Sequence, residues 1–429
     1  MFIESVLNML LSTVNTAVLS GYSEDAVAAT GAVAPLINLF SLFFSVVAIG
    51  STVVISNHIG SENLPRAAKT VTCSFALCVS FGAILGILFS VFAEPTVRLM
   101  KLEGTVLDEA VTYFRIRMAA LVISAASSIL LAILRCFGHP RSTVVAGVVA
   151  NICNLLLSVY VVYYATYAPI LGVTGIAWSV VISQVVSLSI AVYCFVRAAI
   201  PWKWPTWREV PRLSFDVLRI GIPTGISSGS FTLSQVITNI FVAQLGPVAL
   251  SAKVYYTNIL SYAYLFSVNV GNANALLVGR LCGAGEIDHA NRLNRAVVKV
   301  TIAVNLAISL GILFLYRPLL SIFTDNPWII TTAVGIFLVD IVTEQARAVS
   351  QIYEYALRAA GDVMFSFKVL LVSCWVFSVG LAYVLCIPLG WGLIGCWIGL
   401  ALDETVRAVS TVYRWRTGKW IYFHKKREE

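Results

Sequence analysis

Charge is what this chain most lacks. Asp, Glu, Lys and Arg make up 12% of its 429 residues, about half of the ~25% usual in soluble domains. With 59% of residues hydrophobic and a mean hydropathy of +0.87, too little polar surface exists to cover a water-soluble globule of this size. No G-x-x-x-x-G-K-[ST] loop occurs, so ATP is not expected as an energy source. No two of the nine cysteines are spaced C-x-x-C, which excludes the common zinc and dithiol redox motifs. Cys73, Cys78, Cys153, Cys194, Cys374 and Cys386 instead sit inside apolar runs, as small core side chains do. The first apolar stretch has neither a basic n-region nor a small-residue cleavage site, so no cleavable signal is expected. The four histidines, His58, His139, His289 and His424, fall at or beyond the ends of apolar runs, where none can relay protons across a membrane. No enzymatic constellation and no cofactor are expected.

What is present is a series of apolar runs long enough to cross a bilayer, for which a helix needs about 20 residues. Twelve spans are expected, at 1–20, 32–58, 70–92, 111–135, 143–164, 173–197, 221–245, 249–278, 296–317, 329–357, 365–387 and 392–414. Turn residues punctuate them, as in Gly138-His139-Pro140 and Thr324-Asp325-Asn326-Pro327. The fold class is therefore an all-α membrane protein.

Lys and Arg favour the cytoplasmic side of a membrane. By these spans, 21 of the 29 fall on one side: in the 2–3, 4–5, 6–7, 8–9 and 10–11 connections and in the tail. Only Arg98, Lys101 and Arg317 fall on the other. Both termini are then expected in the cytoplasm of a cell (inner or plasma) membrane. The same distribution explains the net charge of +8 without any nucleic acid. The expected partners are a small-molecule substrate and membrane lipid, and the chain is expected to act as a monomer.

The chain resembles itself at an offset of 223 residues. Glu94-Pro95 falls on Arg317-Pro318, Ala110-Val111 on Ala333-Val334, Phe114 on Phe337, and Leu134-Arg135-x-x-Gly138 on Leu357-Arg358-x-x-Gly361. Six spans per repeat is an even number, so both halves enter the membrane from the same side. This is the parallel-repeat plan of many secondary transporters. The expected organisation is an N-terminal six-helix lobe (1–200), a cytoplasmic linker (201–220), a C-terminal six-helix lobe (221–414) and a basic cytoplasmic tail (415–429). By the same offset Met1 matches Thr224, beyond the start of the seventh span. A short first span or an upstream start codon would explain this, and the second is preferred.

In order and spacing, these motifs resemble the multidrug and toxic compound extrusion (MATE) family along essentially the whole chain. Its V-D-T-x-x-x-G element is matched by Val14-Asn15-Thr16 with Gly21, and A-L-A-A-x-G by Val27-Ala28-Ala29-Thr30-Gly31. L-R-G-x-G-D-T-x-x-P is matched by the segment from Leu134 to Pro140 and again from Leu357 to Asp362. N-x-x-N-x-x-x-D is matched by Asn151, Asn154 and Ser158, and L-G-V-x-G-x-A by the segment from Leu171 to Ala177. The resemblance implies a V-shaped pair of lobes, drug efflux driven by H+ or Na+, and a cation site made by acids on spans 1 and 5. Here those acids are Asn15 and Ser158. An amide and a hydroxyl can coordinate a cation as dipoles but cannot exchange a proton near neutral pH. Asn15, Asn151, Asn154 and Ser158 therefore form either a first-lobe polar site or ordinary interhelical hydrogen bonds.

The ionisable groups lie in the second half. Asp340, Glu344, Arg347, Gln351, Glu354 and Arg358 repeat at spacings of 4 and 3 along one face of span 10. Span 12 adds Asp403, Glu404 and Arg407. Charges at membrane depth must face protein or water. Asp340, Glu344, Asp403 and Glu404 are four acids against two charge partners, Arg347 and Arg407. At least one carboxylate is left to take a proton or a cation, with Glu344 or Asp403 the expected one. These acids are the candidate coupling site; the alternative is a static salt-bridge network joining spans 10 and 12. Glu354 and Arg358 are expected to reach water at the helix end.

Span 8 is crowded with Tyr255, Tyr256, Tyr262, Tyr264, Phe266, Asn258, Asn269, Asn272 and Asn274, and has Lys253 near its start. Lys253, Tyr255, Tyr256, Asn258, Tyr262 and Asn269 are the expected substrate lining, suited to amphipathic cations, unless they serve packing and the interfacial aromatic belt. Trp202, Trp204, Trp207, Trp415 and Trp420 are expected in that belt. The sequence thus points to a secondary antiporter exporting small organic compounds in exchange for H+ or Na+. A flippase for a lipid-linked precursor and a non-transporting member are the alternatives. A flippase should hold phosphate with excess Arg and Lys, whereas only five basic residues lie within the spans.

Overall fold

The computed structural model describes residues 24–98, 104–163, 172–321 and 323–421. Every regular element among them is helical. The chain divides into two compact units between Gly221 and Ile222.

Among the described residues, the first unit opens with α1 (Glu24–Gly60) and α2 (Leu64–Val91). Asn63 caps α2 by accepting a hydrogen bond from the Arg66 N–H at 3.1 Å, and Pro65 occupies the first turn, where its missing N–H costs nothing. A short α3 (Ala93–Arg98) leads to α4 (Gly104–Ala119) and α5 (Leu121–Cys136), two halves of one span bent by 46°. The sequence pattern gives a single straight span at 111–135. The bend is accommodated by α2: a Cβ on Gly86 would lie 2.7 Å from the Met118 carbonyl, and one on Gly82 2.7 Å from the Ala125 Cβ. Glycine there lets the backbones approach closely. Helices α6 (Pro140–Tyr163) and α7 (Val173–Arg197) complete the unit, with the start of α8 (Val210–Gln244).

Half of the expected 201–220 linker is thus helical. Leu213, Val217 and Ile220 are buried, and that apolar stripe at spacings of 4 and 3 extends α8 eleven residues ahead of the expected start. Ahead of α8, the Lys69 ammonium lies 2.5 Å from Glu209, which also accepts hydrogen bonds from the Thr206 N–H and hydroxyl. Lys69 first and Thr206 second hold the Glu209 carboxyl down at about 2.

The second unit contains the rest of α8, then α9 (Pro247–Gly283), α10 (Ile287–Phe314), α11 (Tyr316–Ser321) and α12 (Pro327–Ala359). A further span is α13 (Val363–Ser373), a π-helical stretch (Cys374–Leu381) and α14 (Ala382–Cys386), followed by α15 (Gly392–Arg416). Helix α12 is central, packing on α9, α10 and α15. On α15, a Cβ at Gly399 would fall 2.7 Å from the Ala382 Cβ and 2.9 Å from the Phe377 carbonyl.

The repeat holds at the level of individual elements. Shifted by 223 residues, Glu24–Gly60 becomes 247–283, Leu64–Val91 becomes 287–314 and Ala93–Arg98 becomes 316–321, which are the bounds of α9, α10 and α11. The paired Leu-Arg-x-x-Gly motifs end α5 and α12 alike. Gly138 and Gly361 adopt φ of +85° and +93°, and the next N–H returns to the Leu134 or Leu357 carbonyl at 3.0 and 2.9 Å. The copies diverge at two places: α4 and α5 are bent, whereas α12 runs through 33 residues unbroken, and α6 is one α-helix, whereas its counterpart is interrupted by the π-helical stretch Cys374–Leu381.

Seven of the helices are long and apolar enough to cross a bilayer, and the bent pair makes an eighth. Helices α8, α9 and α15 are as long but carry the polar groups of the sites below. Eight of the twelve expected spans thus meet that test among the described residues; those at 221–245, 249–278 and 392–414 fall on the helices α8, α9 and α15, and span 1–20 lies outside the described residues. The chain is an all-α, multi-pass membrane protein. Two tryptophans assigned to the interfacial belt are instead internal: Trp415 and Trp420 stack at 4.3 Å within the second unit, and Trp420 is fully buried. The start of the expected tail therefore folds back into the core.

Candidate functional site

The 4, 3, 4, 3 spacing on α12 sends its charged side chains inward. Asp340, Glu344, Arg347, Glu354 and Arg358 are all buried, as are Asp403, Glu404 and Arg407 of α15. Burial of this much charge is sustained by pairing. Arg407 holds Asp403 through Nε to Oδ1 at 3.0 Å and a second, closer contact, and reaches Glu404 Oε1 at 3.2 Å. Arg347 pairs with Glu344 on its own helix and donates from Nε to Glu404 Oε1 across the interface at 3.1 Å. Ser350 donates to the other Glu404 oxygen at 2.9 Å. Glu404 is thus the keystone of a network joining α12 to α15. Arg347 also lies over the Tyr264 ring and Arg407 over Phe231, at 5.3 and 5.7 Å.

The network leaves one acid aside. Asp340 accepts a single hydrogen bond, from Trp397 Nε1 at 3.3 Å, and its Oδ2 has no partner. It forms no ion pair among the described residues, although 97% of its surface is buried. The pattern analysis singles out Glu344 or Asp403 as the unpaired acid; both meet an arginine. Glu344 keeps one unpartnered oxygen, Oε2. Beside it the buried Asn305 donates to Ser267 Oγ at 2.7 Å and to the Glu344 carbonyl at 3.4 Å.

Asp340 faces a cavity of about 220 Å³ inside the second unit. Phe231, Gln235 and Thr238 of α8, Lys253, Thr257 and Tyr264 of α9, Arg347 of α12, Ser378 of the π-helical stretch and Trp397 of α15 also line it. The π turn suits such a site, because it re-aims backbone and side chains within a span: the Ser378 carbonyl accepts from Thr238 at 3.3 Å.

Of the six expected lining residues, Lys253 lies on this cavity. Its Nζ is buried without a partner. Tyr256 turns into the apolar core, donates to the Ile329 carbonyl at 2.5 Å and packs on Phe337 and Trp397. Tyr255 stacks on Phe323 at 5.4 Å. Asn258 is exposed, Tyr262 is half-buried, and Asn269 donates to the Leu265 carbonyl on its own helix at 2.8 Å; none of these lines the cavity. Helical spacing rather than composition selects the wall: Lys253, Thr257, Leu260, Ser261 and Tyr264 share one face of α9, as Trp397, Leu400, Glu404 and Arg407 share one face of α15.

Two further expectations are answered differently. Glu354 and Arg358 pair but do not reach water; they are buried because the end of α12 is covered by a cluster containing Tyr353, Leu357, Trp415 and Trp420. In the first unit, Asn154 and Ser158 are buried and Asn151 half-buried along α6, while Asn15 lies outside the described residues. The first-unit counterpart of the charged face lacks its acids: at the 223-residue offset Arg117, Leu121, Ser124, Leu131 and Arg135 stand where Asp340, Glu344, Arg347, Glu354 and Arg358 are, and Ser124 donates to Gln184 at 2.6 Å.

The sequence model of the MatE family matches residues 1–160 and 223–384. The chain is 32% identical over 426 residues to the uncharacterized transporter YisQ of Bacillus subtilis, covering 98% of this chain and 93% of that one. It is 24% identical over 432 residues to the probable multidrug resistance protein NorM of Thermotoga maritima, covering 97% and 90%. A solved multidrug resistance MATE family transporter of the MOP superfamily, in an outward-facing conformation, matches with a TM-score of 0.89 at 20% identity, over 99% of this chain and 94% of that chain.

Proposed function

The chain belongs to the MatE family of multidrug efflux transporters, and from that premise we propose that it is a secondary antiporter of the cell membrane, expelling small organic amphiphiles in exchange for H+ or Na+. The observation that carries this reading is Asp340: a carboxylate on a cavity wall, one oxygen held by an indole N–H and the other unclaimed. A buried carboxylate with no ion pair of its own binds a proton or a cation. A substrate cation and the coupling ion can then occupy it only in alternation, which is the requirement for exchange.

Glu344, one turn along α12, supplies a second half-satisfied acid and can pass the ion deeper into the unit. Arg347, Arg407, Asp403 and Glu404 act on this reading as a clamp that keeps α12 and α15 in register while Asp340 changes occupancy. The excess of Lys and Arg in alternate connections supports cytoplasmic termini. The chain is taken to work as a monomer without a cofactor beyond the exchanged ion.

The test is efflux of ethidium from vesicles containing the protein, under a proton gradient and, separately, a sodium gradient. Efflux driven by one of them supports antiport and names the ion. No efflux under either, with the protein present in the membrane, contradicts it.

A further inference from the structure

The first unit carries a basic pocket of its own. Where α2 and α8 begin, Asn63, Arg66, Lys69, Glu209, Arg212 and Leu213 line a cavity of about 300 Å³. The two helices are fastened beside it: Cys73 Sγ of α2 lies 3.4 Å from Ser214 Oγ of α8, and Lys69 is tied to Glu209 at 2.5 Å. Glu209 is the one acid among the described lining residues. Both its oxygens are engaged, one by Lys69 and the other by the Thr206 N–H and hydroxyl. Arg66 and Arg212 form no ion pair and no side-chain hydrogen bond among the described residues. Three cations against one acid leave the wall with two uncompensated positive charges.

The surroundings of the pocket fix its depth in the membrane. Trp202 packs edge-on against Phe75 of α2 at 5.4 Å and Phe195 of α7 at 5.7 Å, and Trp204 packs edge-on against Trp202. The segment ahead of α8 is therefore pinned to the bundle, yet Trp204 and Trp207 are 69% and 93% exposed. Phe215, one turn along α8 from Arg212, is exposed as well. Indole rings next to Lys203 and Arg208 are the chemistry of the membrane–water interface, where tryptophan settles at the level of the lipid headgroups. Glu209 follows Trp207 by two residues, so the pocket opens at that level. The anions there are phosphodiesters. Guanidinium groups take phosphate through paired N–H donors, and basic pockets between spans hold such headgroups.

We propose that this pocket seats the headgroup of an anionic glycerophospholipid, with its phosphodiester between Arg66 and Arg212 and its acyl chains over Phe215. Lys69 stays with Glu209, and that pair keeps the starts of α2 and α8 together around the headgroup. A zwitterionic lipid brings a cation of its own toward the two arginines and gains less. A free phosphate meets the same guanidinium groups but leaves the exposed rings uncovered, so the lipid is the better occupant. The site requires neither the antiport reading nor the cavity at Asp340.

The test is the thermal midpoint of the purified full-length protein in a neutral detergent. The probes are short-chain phosphatidylglycerol, phosphatidylcholine with the same chains, and glycerol phosphate. At saturation, phosphatidylglycerol should raise the midpoint by about 3 °C or more, and the other two by less than about 1 °C. Arg66→Gln combined with Arg212→Gln should abolish the phosphatidylglycerol shift. Arg292→Gln combined with Lys299→Gln, which removes the same charge from exposed positions in the first half of α10, should retain it. No phosphatidylglycerol shift in wild-type protein overturns the proposal, as does an equal shift with phosphatidylcholine, whatever the folding of the variants. Loss of the shift in both double variants overturns it too, by showing attraction to diffuse charge. A comparable shift with glycerol phosphate that disappears with Arg66 and Arg212 assigns the pocket to a soluble phosphate and overturns the lipid. Efflux plays no part in this readout, so failure of the antiport reading would show separately.

Discussion

Arg407 and Asp403 lie one turn apart on α15 and form a two-point ion pair, Nε to Oδ1 at 3.0 Å, where 98% of the one residue and all of the other is shielded from solvent. Truncating one member of such a pair strands its partner's charge. Arg407→Leu leaves both Asp403 and Glu404 short of a counter-ion, and should cost about 3–5 kcal/mol. The check is the thermal midpoint of the detergent-purified variant against wild type. A midpoint within a degree of wild type would argue against the clamp.

A second prediction concerns the fit of α15 against α14 and the π-helical stretch. Gly399→Val adds a branched side chain where even a Cβ would meet the Ala382 Cβ at 2.7 Å. The overpacking should cost about 1–3 kcal/mol, visible as a lowered melting temperature, and Gly399→Ala should be the milder of the two. Glycine at position 31, with nothing within 4 Å, is the control: Gly31→Ala should leave the melting temperature near wild type.

Tyr256 and Lys253 are three residues apart on α9 yet should behave as different kinds of position. Tyr256→Phe loses the bond to the Ile329 carbonyl and should destabilise by about 1 kcal/mol, with driven efflux of ethidium intact. Loss of efflux in folded Tyr256→Phe would return this tyrosine to the substrate wall.

The Lys69–Glu209 pair gives a pH-dependent prediction. Glu209 has a folded-state carboxyl at about 2, below the ordinary value of ~4.3. A depressed carboxyl contributes stability above its unfolded value and loses it as pH falls through the folded value. The difference in melting temperature between wild type and Lys69→Met should therefore be present at neutral pH and shrink between about pH 4.3 and 2. The pair is partly exposed, so raised salt should also narrow the difference. A gap that persists unchanged at low pH would mean that Lys69 acts through packing instead.

The sequence-based reading fared differently at different scales. Apolar run lengths, the 223-residue offset and turn residues placed most described helices to within several residues, because bilayer thickness and helix caps act locally. The bend at Ala120 escaped it, since it depends on how closely α2 lets a neighbour approach at Gly82 and Gly86. The inward charged face of α12 was legible from spacing alone. Which acid lacks an ion pair was not: Asp340 and Glu344 on α12 and Asp403 on α15 look alike in sequence, and only the geometry relative to Arg347 and Arg407 sorts them. Tyr256 shows the same limit, being rich in polar potential by composition and committed to the core by its direction on α9.

The central claim is that Asp340 is the site of ion exchange, and the most direct measurement is driven efflux of ethidium by reconstituted Asp340→Asn protein beside wild type. Both a proton and a sodium gradient should be imposed, with Asp403→Asn as a comparison at a paired acid. The account predicts efflux under one gradient in the wild type and its loss under both in folded Asp340→Asn, with Asp403→Asn losing stability in addition to any loss of rate. Full gradient-driven efflux by Asp340→Asn would contradict it.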